Sequence, residues 1–279
     1  MGTLTCQSCG AQFPIQEGIA VLSTNAPLVK DTAPSTYETE AMLTAYLWSH
    51  FADLMGDRDA SPAYGEWSEL LNGTPGYALD AGCAVGRFTF EMGQKCGFAV
   101  GIDSSYSFVR TARHLMTRRE LSLSIPREGM LQEEMAIRLP HTWSTDRVEF
   151  VVGDAQRLPF SSGSFSSLAS LNLVDKLPLP IVHVQEMNRV AKVRHAQWIF
   201  SDPFSWSSDV ASPKDWLGGT SKGRFSGSGL ENIRLLLGGE KGKLSPPWRI
   251  GKEGQVWWKI RNHQNHFELI RSLFLTAER

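Results

Sequence analysis

Two glycines and three acids are the residues whose types and spacing could do chemistry. Tyr77-Ala78-Leu79 is a short apolar run, long enough for a buried strand, and it leads into Asp80-Ala81-Gly82-Cys83-Ala84-Val85-Gly86. Arg87 to Lys95 then has helical composition, with Phe88, Phe90 and Met92 interleaved. A strand, a glycine turn and a helix start form a nucleotide-binding arrangement. Glycines let the backbone approach a ligand closely, and the first turn of the helix offers unpaired N–H groups. The glycine spacing is G-x-x-x-G and not the G-x-G-x-x-G of dinucleotide folds. A second apolar run, Phe98-Ala99-Val100-Gly101-Ile102, ends in Asp103, and a third, Val148 to Val152, closes with Gly153-Asp154-Ala155. An acid at the tip of the second strand can accept from both hydroxyls of a ribose. The competing reading of any one of these pieces is an ordinary strand–helix turn; three ordered strand ends argue against it.

Acid-x-G-x-x-x-G after a strand resembles the opening signature of class I methyltransferases that use S-adenosylmethionine (SAM). That resemblance implies an α/β, Rossmann-like fold: a mostly parallel seven-stranded sheet, an antiparallel closing strand and helices on both faces. It also implies SAM as cofactor. Asp80, Gly82, Cys83, Gly86 and Arg87 would then form the turn at the methionine end, and Asp103 with Ser104 would hold the ribose. Asp154 with Ala155 would hold the adenine, and Asn172 would close the site from the fourth strand.

Composition sets the frame for these residues. The chain has 279 residues, 42% hydrophobic and 20% charged, which suits one large α/β domain with a small appendage. A net charge of −1 argues against a bulk electrostatic partner such as duplex nucleic acid. No run of eighteen apolar residues suggests a membrane span, and the N-terminus lacks a secretory layout. Four cysteines do not make a disulfide framework, so a reduced, cytoplasmic setting is expected.

The elements that must position the site follow in order. Residues 1–24 read as a partial zinc-ribbon-like hairpin, with Cys6, Cys9 and Gly10 at its knuckle. One CxxC supplies half of a tetrahedral zinc site, so no metal is expected; a start that lost a first CxxC is the alternative. Residues 25–75 read as a proline-punctuated linker, Asn25 to Ala33, and a lid helix. That helix opens on the capping-box pattern Ser35-Thr36-Tyr37-Glu38 and runs to about Met55. Tyr37, Tyr46 and His50 fall near one face of it, where they either cover a ligand or pack on the core. Residues 76–279 form the methyltransferase-like domain, with insertions at 121–145 and 202–227. The first is expected to be a long irregular segment, either functional or without order. The fourth strand, Ser164 to Leu173, runs into Val174-Asp175-Lys176, and strand ends face the ligand crevice. Past the fifth strand, Asp202, Trp206 and Trp216 suggest a pocket wall or ordinary surface packing. The closing strand pair is expected at Gln255 to Arg261 and Phe267 to Thr276.

Several blocks together are similar to the C-terminal methyltransferase domain of ovothiol synthase, a family also described as 4-mercaptohistidine N-methyltransferases. They are YETEAMLTAYLWSHF, ALDAGCAVGRFTFE, GIDSSYSFV, REGML, RVEFVVGDAQRLP, LNLVDKLP, SDPFSWSSD and DWLGG, within Tyr37 to Arg261. The resemblance implies methylation of an imidazole ring nitrogen on a sulfur-bearing histidine. The chain departs from that enzyme in having no iron-dependent sulfoxide synthase module, in its N-terminal hairpin, and in Ile260-Arg261-Asn262 where the family has Ile-Arg-Glu.

A neutral imidazole or a thiolate already carries a lone pair, so a weak base or an orienting acceptor suffices. Asp175, Glu128, Tyr37 and His50 are the candidates. Tyr46, Lys176, Asp202, Trp206, Trp216 and Arg261 are the candidates for holding the acceptor, a small molecule. Two other readings stand beside this one. The first is an S- or O-methyltransferase on another small molecule; the second is a SAM-binding protein acting through a partner on the N-terminal hairpin.

Overall fold

The computed structural model describes residues 2–23, 36–240 and 244–279. The expected linker and Ser35 of the capping-box pattern lie outside the described residues. In chain order the elements are β1 (Gly2–Thr5), β2 (Gln12–Gln16), β3 (Ile19–Ala20), α1 (Glu40–Phe51), α2 (Ala63–Glu69), β4 (Tyr77–Ala81) and α3 (Arg87–Lys95). Next come β5 (Phe98–Asp103), α4 (Tyr106–Arg118), β6 (Glu120–Glu128), β7 (Leu131–Arg138), β8 (Val148–Val152) and β9 (Ser167–Leu171). The chain closes with α5 (Pro180–Val190), β10 (Gln197–Asp202), α6 (Gly229–Leu237), β11 (Arg249–His263) and β12 (His266–Glu278).

Seven strands form the central sheet in the order β11-β12-β10-β9-β4-β5-β8. β8, β5, β4, β9 and β10 are mutually parallel, β12 runs antiparallel to β10, and β11 pairs antiparallel with β12. Strands covered on both faces read as continuous apolar runs. β4 accordingly buries Ala78, Leu79, Asp80 and Ala81. One face of the sheet packs Phe88, Phe90 and Met92 of α3 and Phe108 and Val109 of α4 together with α1 and α2. The other packs Val184 and Met187 of α5 and Ile233 and Leu236 of α6. The chain runs from β4 outward to β5 and β8, then returns to place β9 on the opposite side of β4. This reversal opens a crevice at the carboxyl ends of β4 and β9, where open α/β sheets bind ligands.

Three local expectations change. The lid helix is capped by Thr39, whose Oγ1 accepts from the Met42 N–H at 3.3 Å, and a 3-10 turn over Thr36–Glu38 precedes it. Residues 121–145 hold the antiparallel hairpin β6–β7 and not an irregular insertion. Leu121, Leu123 and Ile125 alternate inward with period two, and Ile125, Met135 and Ile137 are buried in the first core cluster. The closing strands are longer than expected, because β11 and β12 continue well past the sheet's edge towards β6.

The N-terminal residues form a three-stranded antiparallel sheet, β1-β2-β3. Val21 bridges Val152 in parallel, and the Leu22 N–H donates to the Val152 carbonyl at 2.7 Å. The small sheet thus docks at the carboxyl end of β8, the edge strand, where an unpaired backbone would otherwise be a template for pairing. At its exposed knuckle, hydrogen bonds from Ser8 and the Cys9 backbone pull the Cys6 thiol down to about 7. Among the described residues no group of three or more His, Cys, Asp or Glu could hold a metal, and no helix is long and apolar enough to cross a membrane.

Candidate active site

A cavity of about 260 Å³ opens at the crevice between β4 and β9. Its floor is made by turns that the sheet holds rigidly. Gly82 takes φ +74°, and its N–H and that of Cys83 donate to the Ile102 carbonyl at 2.8 and 3.1 Å. Gly86 starts α3 at φ +88°, a conformation costly for residues with a Cβ. Asp103, at the end of β5, accepts from the Ala84 N–H and the Ser105 N–H, both at 2.9 Å. Its carboxylate therefore ties the β4 turn to the start of α4, and burial raises its pKa above the usual value. Asp154 accepts from the Gln156 N–H at 2.8 Å, which fixes the loop after β8.

Gly82, Asp103, Ser104, Asp154, Ala155 and Asn172 all line the cavity. Two carboxylates at adjacent strand ends, with exposed backbone between them, are the acceptor set that suits a ribose diol and an adenine amino group. The residues present therefore fit an adenosyl cofactor.

His183 supports this loop from behind. Its Nδ1 donates to the Ala155 carbonyl at 3.0 Å, which leaves Nε2 to accept from the Ser170 hydroxyl at 2.8 Å. Full burial pushes the pKa of His183 down from 6.5 to about 4. Below pH 6.5 the unfolded chain takes up a proton that the folded chain refuses until about pH 4. We therefore expect the stability of the wild type relative to His183→Asn to fall on acidification across this window, by up to about 3 kcal/mol. Denaturant unfolding of both proteins at pH 7, 5.5 and 4.5 measures it, and a constant difference would contradict it.

Above the floor stands a wall of aromatic rings. Tyr37, Tyr46 and His50 come from the lid, Tyr64 from α2, Phe108 from α4 and Trp258 from β11, and all six line the cavity. Tyr46 is central, with ring centroids 5.6 Å from His50, 5.0 Å from Phe108, 5.9 Å from Trp258 and 6.1 Å from Tyr37. His50 Nε2 and the Tyr64 hydroxyl are 2.7 Å apart. Burial, then the nearby Arg87 cation, hold His50 well below its ordinary pKa, so it stays neutral. Burial raises the pKa of Tyr37, Tyr46 and Tyr64 alike, so the wall carries no charge near neutrality. Among the described residues Lys176 is the one cationic side chain lining the cavity, and its Nζ is 3.1 Å from Asp175 Oδ2.

The structure separates the sequence candidates into two groups. Tyr37, Tyr46, His50, Lys176 and Asn172 meet at the cavity with Gly82, Asp103, Ser104, Asp154 and Ala155. The remaining candidates lie outside it. Asp80 is buried in β4, accepts from the Thr89 hydroxyl at 2.7 Å and is pushed up to about 7 by that burial. Cys83 and Gly86 build the turn from behind, packed towards Gly101 and Phe150. Arg87 points away from the cavity into ion pairs with Asp53 and Glu91.

Among the catalytic candidates, Asp175 lies buried beside the cavity, where it accepts from the Ser205 N–H at 2.8 Å and pairs with Lys176. Glu128 is at the exposed tip of the β6–β7 hairpin. Asp202 is fully buried and caps the Val174 and Phe204 N–H groups. Trp206 and Trp216 stack on each other 6.0 Å apart, and Arg261 pairs with Glu133 of β7. None of these six side chains lines the cavity.

Tyr64, Phe108, Trp258 and His183 were not anticipated. Trp258 follows an exposed Trp257 on a strand whose inward residues alternate, and that period was a usable signal. Tyr64 sits in AYGEW, three residues before the buried Trp67, a helical spacing within α2.

Residues 79–194 match the family described as Methyltransferase domain. The YcgJ protein from Bacillus subtilis superposes with a TM-score of 0.51 at 12% identity, covering 78% of this chain and 98% of its own. A chain from the complex between the Trm112 methyltransferase activator and a methyltransferase of Haloferax volcanii does so with a TM-score of 0.51 at 13% identity, covering 88% and 99%. At these identities the superpositions show a shared fold. No curated protein matches the chain in sequence.

Proposed function

We propose that this chain, a SAM-dependent methyltransferase, methylates a small, flat, polar acceptor held under the aromatic lid. The reading favoured by the family resemblance is a ring nitrogen of a sulfur-bearing, histidine-derived imidazole. Bound SAM supplies a methyl carbon on a sulfonium, open to in-line displacement. What remains for the protein is to bind, align and dehydrate the acceptor.

The observation that carries this reading is the chamber wall. Six aromatic rings line the cavity, and the Tyr64 hydroxyl, the His50 imidazole and the Asn172 amide are among its polar groups. Pockets of this kind, apolar with a few placed polar groups, suit small ligands. Among the described residues a single lysine lines it, which gives little for a phosphate backbone to engage.

An imidazole nitrogen or a thiolate attacks with a lone pair it already has. A neutral His50, whose cationic form is opposed by burial and by Arg87, suits an orienting hydrogen-bond partner better than a strong base. Lys176, paired with Asp175, lines the cavity and is placed to meet an acceptor carboxylate, whereas Arg261 pairs with Glu133 and does not line it.

S- or O-methylation of a different small molecule fits the same walls. A role through a partner is suggested by the Haloferax complex, whose methyltransferase is paired with an activator. Incubation with SAM and a panel of small imidazoles, thiols and phenols, with S-adenosylhomocysteine release and product masses as readouts, decides among them. An N-methylated imidazole is expected. Turnover only with thiols or phenols, or no turnover with intact SAM binding, would favour the other readings.

A further inference from the structure

The lid helix hangs from the two loops that carry the cofactor-facing residues. At its first end, the Glu38 carboxylate accepts from the Ser107 N–H at 3.2 Å, and the Ser105 hydroxyl donates to the Tyr37 carbonyl at 3.4 Å. Ser105 also donates its own N–H to Asp103, so this end of the lid is one residue removed from the acid at the tip of β5. At the other end, Arg87 directly follows Gly86. Its Nη1 donates to the His50 carbonyl at 2.8 Å and to Asp53 Oδ1 at 2.7 Å, and its Nη2 donates to Glu91 Oε1 at 2.9 Å. The guanidinium lies 5.8 Å from the Tyr64 ring and 5.4 Å from the Trp143 ring, and the side chain is 2% exposed.

A buried guanidinium held by two carboxylates, a carbonyl and two rings has one available geometry. It acts as a strut between the glycine turn and the helix end that presents His50 and Tyr46. The Ala84 N–H bond to Asp103 joins the two loops, so both anchors of the lid move as one unit with the floor of the cavity.

We propose that Arg87 is a positioning residue that couples occupancy of the cofactor cavity to closure of the acceptor chamber, through the fork from α3 to His50 and Asp53. The proposal rests on the methyltransferase reading, since it assigns the cavity floor to the cofactor. Its consequence is an order: filling the floor steadies α1, and a steadied α1 completes the chamber wall. Arg87 itself touches neither ligand.

Hydrogen exchange by mass spectrometry on the full chain, with and without S-adenosylhomocysteine, tests it. In the wild type the ligand should slow exchange across residues 40–52 by about tenfold or more. Arg87→Lys keeps a charge beside Glu91 but has no fork. In it the ligand-induced slowing of the lid should fall below about threefold, while affinity for S-adenosylhomocysteine stays within about threefold of the wild type. Asp53→Asn loosens the same strut from the lid side, and it decides the matter should the lysine variant not fold.

A merely structural role would lower thermal stability without altering the ligand-dependent difference. Lid protection that survives in both variants overturns the coupling, as does a loss of affinity on the scale of Asp103→Ala, which would place Arg87 in the cofactor site. A wild-type chain that binds ligand without protecting the lid overturns the coupling alone. One that binds no ligand overturns the methyltransferase reading and the coupling with it.

Discussion

Gly86→Val should give a protein whose melting temperature is lower by roughly 10 °C, or one that does not accumulate folded. The reason is local. Gly86 sits at φ +88°, where a β-branched residue is strained by about 1–2 kcal/mol or more. A Cβ built there would lie 2.6 Å from Cε1 of Phe150 and 3.0 Å from the Cβ of Ala112. Both neighbours are fully buried and have no room to give. Overpacking of this kind adds about 1–3 kcal/mol, so the combined cost is a large part of a typical domain's margin of 5–15 kcal/mol. Thermal unfolding followed by circular dichroism measures it. A variant melting within about 2 °C of the wild type would mean that the turn does not pack against β8 as described.

The second large effect concerns ligand binding. Asp103→Ala should weaken S-adenosylhomocysteine binding by about 1.5–3 kcal/mol, the range for hydrogen bonds to a charged group, or roughly 10- to 150-fold. The side chain lines the cavity and also receives two backbone N–H groups, from Ala84 and Ser105. Its loss removes a partner for the ligand and frees both turns. Asp103→Asn retains an acceptor oxygen and should lose less. Calorimetric titration of both variants, with stability measured alongside, separates the two contributions. Unchanged affinity in the alanine variant would remove Asp103 from the cofactor site.

What was legible in the sequence and what was not follow one physical division. The cavity floor is local: Gly82, Asp103 and Asp154 each sit at the end of an apolar run, and a strand end points its last residue at the crevice whatever packs around it. The chamber wall is non-local. Tyr64, Phe108 and Trp258 come from α2, α4 and β11, and only the folded sheet brings them against Tyr46 and His50.

Charged side chains misled for the same reason. Arg87 follows the glycine turn, yet its partner Asp53 comes from the segment after α1, and a long side chain can turn either way from its Cα. Arg261 reads as a free cation near the end of β11 until the hairpin β6–β7 delivers Glu133 to it. The hairpin itself carried its alternation openly in Leu121, Leu123 and Ile125. It was obscured by Pro126 and by the polar residues at its tip.

In the function proposed here, the lid-covered aromatic chamber takes a small acceptor beside the cofactor. Methyl transfer from isotopically labelled SAM, compared between a free sulfur-bearing imidazole amino acid and the same residue placed inside a peptide, tests it most directly. Labelled, N-methylated product is expected from the free compound and little or none from the peptide, because the chamber is walled by Tyr37, Tyr46, His50, Tyr64, Phe108 and Trp258. Equal or better transfer to the peptide, with the free compound left unmodified, would contradict it.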